Sequence, residues 1–227
     1  MNYVIVDLEM NKVSGEFKEE RRKCTNEIIE IGAVIMNESF NEISSFKTYV
    51  KPRYSSDITP KVKKLTGISW DMVEDAPEFE EAFRMFVNFC DIAGDDYQII
   101  EWSESDHTQI LNEMFQKDYV PNEKEKELMT KWHDFQREFG AMLGRGKSRS
   151  TSLKEALLYV GEDFVGNEHD ALFDARNTAE LFSITKIEAK REKALQKVID
   201  IFEPKSDPVT LGDIFDFGSL SKSCESK

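Results

Sequence analysis

The chain has 227 residues, of which 40% are hydrophobic and 33% charged, and 16 Phe, 6 Tyr and 3 Trp give it apolar surface enough for a sizeable core. That excludes a chain disordered throughout. The net charge of −14 argues against indiscriminate binding to duplex nucleic acid, though bound metals or a local basic rim can reverse the field at one site. No window approaches a spanning helix, and the first residues lack the pattern of a signal peptide. Cys24, Cys90 and Cys224 are odd in number and far apart, so a disulfide framework or structural zinc site is not expected and a reducing cytoplasm is.

In chain order, Tyr3 to Val6 is a β-branched apolar run that ends at Asp7-Leu8-Glu9, which reads as a buried strand with acids at its carboxyl end. Glu27 to Met36 reads as a second strand and Ile43 to Val50 as a third, joined by a short polar turn as an antiparallel hairpin. Thr59-Pro60 opens a short helix that stops before Gly67. Asp75 to Ala93 carries helical apolar spacing, Tyr97 to Trp102 is a fourth strand, and Asp106 to Phe115 a helix. Lys131 to Leu143 and Ser152 to Val160 read as helices, and Asp170 begins the longest helical pattern, running to about Phe202. Glu203 to Lys227 reads as a docked or partly ordered tail. Early strands, late helices and one hairpin predict a mixed sheet covered by helices.

Asp7 and Glu9 stand two apart on a strand and so face the same way. Two such carboxylates repel unless a cation lies between them, and hard divalent ions prefer carboxylate oxygen. With 44 acids in the chain, a D-x-E triplet is also common by chance. Asp106 opens a helix, where Asp is a preferred cap, and Glu101, Glu104, Asp95 and Asp96 are rivals for any ligand role. His169 is one of 3 histidines and lies among acids at a helix mouth, with Asp174 in the first turns beyond it; a capping Asp170 beside a surface histidine is the plainer alternative.

Taken together, these segments resemble the DEDDh family of 3′–5′ exonucleases, relatives of ribonuclease T and of proofreading exonuclease subunits. The carriers are Val4-Ile5-Val6-Asp7-Leu8-Glu9, Asn26 to Ala33, Lys51-Pro52 through Leu65-Thr66-Gly67-Ile68, Trp102 to Asp106, and His169, Ala171, Leu172, Asp174 and Ala175. The match spans about Tyr3 to Phe182 and looks nearest to the KapD-like sporulation-inhibitor exonucleases. The resemblance implies an RNase H-like α/β fold, a mixed sheet flanked by helices, with an exonuclease domain over 1–185 and a helical extension and tail over 186–227. It implies two Mg²⁺ or Mn²⁺ ions. Asp7 would bridge them, Glu9 and Asp174 would hold the ion with the attacking water, Asp106 the ion at the leaving oxygen, and His169 would be the general base.

Substrate would be the 3′ end of single-stranded RNA or DNA, with contacts expected at Met10, Leu65, Lys63 and Lys64. Basic groups at Arg21-Arg22-Lys23, at Lys51, Arg53 and Lys61, and at Arg145, Lys147 and Arg149 would flank its groove, and Phe17, Phe46 and Tyr54 are possible stacking rings. Two rival readings are a nuclease-like module without catalysis, kept as a protein-binding or regulatory subunit, and a phosphoesterase of small nucleotides; Thr210 to Phe217 is a short amphipathic piece suited to dock on its own domain or on a protein partner of the tail.

Overall fold

A computed structural model describes residues 1–143 and 151–194. In chain order the elements are β1 (Asn2–Lys12), α1 (Lys18–Lys23), β2 (Asn26–Met36), β3 (Glu42–Tyr49), α2 (Pro60–Thr66), α3 (Trp70–Val73), α4 (Phe79–Cys90), β4 (Tyr97–Glu101), α5 (Ser105–Gln116), α6 (Glu123–Met129), β5 (Trp132–Asp134), α7 (Phe135–Met142), α8 (Leu153–Val160) and α9 (Ala171–Lys186). The strands form one sheet in the order β3-β2-β1-β4-β5, with β2 antiparallel to both neighbours and β4 and β5 parallel to β1. It is the mixed sheet that the hairpin and the late helices predict.

Period-two alternation divides the core between the two faces. Val4, Val6 and Leu8 of β1 pack with Phe79, Phe83 and Phe86 of α4 and with Ile110 and Met114 of α5. Ile5 joins the opposite layer with Phe135 and Phe139 of α7, Leu157 of α8 and Ala175 and Phe182 of α9. Asp7 and Glu9, two and four residues beyond Ile5, therefore face the side that α9 covers.

Two expected helices are corrected. Lys131 to Leu143 is not helical from its start, because Trp132, His133 and Asp134 pair with Ile99, Ile100 and Glu101 as a parallel edge strand. Asp134 then caps α7 by accepting from the Arg137 N–H at 3.0 Å. The long helix expected from Asp170 to Phe202 stops at Lys186, where Ile187 turns extended (φ −82°, ψ 114°). Helical backbone resumes over 188–194 and folds back, so that Ala194 is buried in the α9 layer and Lys190 reaches Glu180 at 3.1 Å. No glycine or proline marks this break, so periodicity alone runs straight through it.

The charged helices α1 and α6 were not expected. The expected tail from Glu203, its segment Thr210 to Phe217, Cys224 and the basic residues Arg145, Lys147 and Arg149 lie outside the described residues. Among those described, Cys24 and Cys90 are free and buried, and no helix is long and apolar enough to cross a membrane.

Candidate active site

Three elements bring acids together over the middle of β1, which runs on to Lys12 instead of ending at the acids as the sequence predicts, because Met10 to Lys12 still pair with β2. Asp7 and Glu9 come from the strand itself, just before a bulge between Glu9 and Met10 shifts the pairing with β2. Asp106 lies in the first turn of α5 and is buried, and Asp174 lies in the first turn of α9. Among the described residues, single donor atoms of Glu9, His169 and Asp174 all lie within 4.8 Å of one another.

The electrostatics record this convergence. Burial raises the Asp7 carboxyl well above the usual range, and Asp106, Asp174, Glu9 and Glu30 raise it further. Burial, then Asp174, Glu30 and Asp170, push Glu9 up to about 8. Asp106 is raised by burial and then by Glu101, Glu9 and Asp174. Burial takes Asp174 to about 7, although its Oδ2 accepts the His169 N–H at 2.8 Å. Acids buried this close together have the donor set of a hard divalent cation, and no thiol stands among them to favour a softer metal.

The rivals of Asp106 are otherwise engaged. Glu101 is buried at the end of β4, and its Oε2 accepts the His107 N–H at 2.9 Å. Glu104 is exposed and pairs with Arg137 at 3.0 Å. Asp95 and Asp96 precede β4, and Asp96 meets the N-terminal amine at 3.4 Å, at the other end of that strand.

α9 is seated by β2. Gly32 lies opposite Asp7 in the ladder, and a Cβ there would come within 2.2 Å of the backbone of Ala171 and Leu172. Glu30, two residues earlier, accepts the Ala171 N–H at 2.8 Å with Oε2 and pairs with Lys47 at 2.9 Å with Oε1. Lys47 also reaches Asp170 at 2.6 Å, and Asp170 accepts the Leu172 N–H at 3.1 Å to cap the helix. Glu30, Gly32 and Lys47 thus hold the turn that carries His169 and Asp174, and sequence reading missed them. The available signal was an acid and a glycine within a run that is otherwise apolar.

His169 is half-exposed, with φ 65° in the left-handed region and Nδ1 3.7 Å from Glu9 Oε1. The expected substrate contacts lie on β1 and α2. Met10 follows the bulge and packs partly against the α4 layer, while Lys63, Lys64 and Leu65 are exposed on α2. Of the rings, Phe46 packs on Phe86 and Phe89, whereas Phe17 and Tyr54 pair with each other at 5.4 Å.

Comparison with known proteins decides the family. An exonuclease family model of the RNase T type matches residues 4–182, most of the chain and every residue of this cluster. The chain belongs to the exonuclease family. The ERI1 exoribonuclease 2 of Danio rerio is 30% identical over 181 residues, covering 70% of this chain and 31% of that protein. The probable 3′–5′ exonuclease KapD of Bacillus subtilis (strain 168) is 25% identical over 219 residues and 96% of each chain. The nuclease domain of 3′hExo, described as a DEDDh family member and solved with rAMP, superimposes with a TM-score of 0.68 at 23% identity, covering 81% of this chain and 90% of that one. This exonuclease-family chain spans less than a third of the length of the first curated relatives it matches. Its mixed sheet is the RNase H-like fold of such neighbours.

Proposed function

We propose that the protein is a metal-dependent 3′–5′ exonuclease that hydrolyses phosphodiester bonds from the 3′ end of single-stranded RNA or DNA. The observation that carries this reading is the convergence of Asp7, Glu9, Asp106 and Asp174, with carboxyl groups pushed toward neutral pH by burial and mutual repulsion, beside His169. We assign residues 1–185 to the exonuclease domain and 186–227 to an extension, a division supported by the family match over 4–182.

Asp7, Glu9, Asp106 and Asp174 would hold two divalent ions, Mg²⁺ or Mn²⁺. Such ions supply Lewis acidity to the scissile phosphodiester and offset the repulsion among the four acids. His169 acts as general base. Its Nδ1 faces Glu9, which leaves Nε2 to take the proton from the attacking water. The Asp174 carboxylate fixes the backbone beneath that imidazole. Met10 and Leu65 would touch the terminal nucleotide, and Lys63 and Lys64 would meet the phosphates behind it.

The test is degradation of 3′- and 5′-labelled single-stranded RNA and DNA with Mg²⁺ or Mn²⁺ and with EDTA, beside His169→Ala. Shortening from the 3′ end that needs metal and is lost in the variant is expected. No cleavage by folded protein with either metal would overturn the reading in favour of a nuclease-like binding module.

A further inference from the structure

Past the bulge, β1 continues from Met10 to Lys12 and forms one wall of a cleft of about 380 Å³. The other wall is the segment from Ser55 to Pro60. The walls are held together by fixed hydrogen bonds. The fully buried Asn11 side chain donates to Asp57 O and accepts the Thr59 N–H, both at 3.0 Å, and Ser55 Oγ donates to Lys12 O at 2.9 Å. The Ser14 N–H adds a bond to Tyr54 O at 2.9 Å.

Lys12 and Arg21 are exposed on this cleft, and among the described residues neither forms an ion pair. That is notable in a molecule with 44 acids and 30 basic residues, where Arg22 and Lys23, the neighbours of Arg21, are both paired. Asp57 is the acid among the lining residues, and its Oδ1 is turned back to the Ile58 N–H at 2.8 Å. Pro60 leads from the same rim into α2, where Lys61, Lys63 and Lys64 also lack ion pairs among the described residues. The ring pair of Phe17 and Tyr54 flanks the lining residues along the chain. A hydrogen-bonded cleft whose exposed cations lack ion pairs among the described residues, with adjacent aromatic rings, has the makeup of a track for single-stranded nucleic acid. It begins three residues beyond Glu9, about 10 Å along the strand.

We propose that this cleft binds the phosphodiester backbone of the nucleotides immediately 5′ of the terminal one, with Lys12 and Arg21 as its phosphate contacts. The proposal rests on the exonuclease reading for its direction, since the 3′ end must lie at the acids for the upstream strand to lie here. Arg21 passes its guanidinium over Gly15 and Lys12 stands on the strand end, so one backbone laid in the cleft meets both cations.

The experiment compares the full chain with Lys12→Ala, Arg21→Ala and the double variant. One probe is a 5′-fluorescein oligonucleotide of about seven nucleotides, long enough to cross the cleft. The other is the p-nitrophenyl ester of thymidine 5′-monophosphate, which has no upstream nucleotide. The double variant is expected to raise KM for the oligonucleotide about tenfold with kcat unchanged, and to leave ester hydrolysis as it was. Anisotropy with the same oligonucleotide in EDTA should show weaker binding and a salt slope shallower by about 1.4, the share of two phosphates. Arg21→Lys should retain most of the salt slope. Unchanged binding and KM in the double variant would overturn the proposal, as would equal losses on both probes. If the unaltered protein hydrolyses neither probe, the exonuclease reading falls, and the anisotropy arm still decides whether the cleft binds the strand.

Discussion

His169 holds a left-handed backbone that costs an L-residue with a Cβ about 1–2 kcal/mol, and it does so one residue before the cap of α9. The site explains the arrangement, since the bend turns the His169 N–H onto Asp174 Oδ2 and sets the ring beside Glu9. Asparagine tolerates that conformation, so His169→Asn should keep the melting temperature of the parent while losing activity; a variant that retained full nuclease activity would remove His169 from the chemistry. Gly32 makes the opposite case, in which a side chain is excluded. Gly32→Ala would drive a methyl group into the first turn of α9, and we expect a loss of at least 1–3 kcal/mol in urea unfolding together with activity. The pairing of Asp7 with Glu9 was legible because period-two geometry needs no tertiary knowledge. The need for glycine at position 32 was not, because the helix that presses on it lies far along the chain.

Two elements reach the site by the same device. β2 and β4 flank β1, and each ends a buried glutamate on the first turn of the helix that supplies an acid. Glu30 accepts from Ala171 of α9 and Glu101 from His107 of α5. Glu101 is raised to about 7, first by its burial, and Glu30 is raised as well. Glu30→Gln keeps an oxygen for Ala171 yet loses the ion pair to Lys47. We expect it to weaken Mn²⁺ binding several-fold in calorimetric titration while the circular dichroism spectrum holds; unchanged affinity would reduce Glu30 to a packing role. The missed elements share a cause too. β5 is three residues long and exists because β4 offers an edge, which no local pattern reports. α6 is a charged helix with little apolar stripe, and its one local signal, the capping-box spacing of Asn122 and Glu125, was not read.

For the molecule as a whole, the raised acids link folding to pH. Glu9 at about 8 and Asp174 at about 7 hold protons in the folded chain that the unfolded chain releases near its ordinary carboxylate pKa. Their contribution to stability is therefore complete below about pH 4 and is lost as the pH climbs toward 8. In EDTA we expect stability to fall by several kcal/mol across that window, read as a Tm lower near pH 8 than near pH 4. Millimolar Mn²⁺ should abolish the fall, and Asp174→Asn should melt higher than the parent in EDTA at pH 8 while being inactive. A Tm that is flat with pH in EDTA would count against the charge assignment. Cation binding must also displace those protons, so its affinity should rise with pH.

The seating of α5 and α9 has one more consequence. Both helices begin at the acids, so both direct the positive ends of their peptide dipoles at the cluster, each equivalent to roughly half an elementary charge. Lys47 adds a full charge beside them. The protein therefore carries a permanent partial counterweight to its own acids, built from backbone and present before any ion arrives. The domain should fold first and take up metal afterwards, into a cup whose shape is already set.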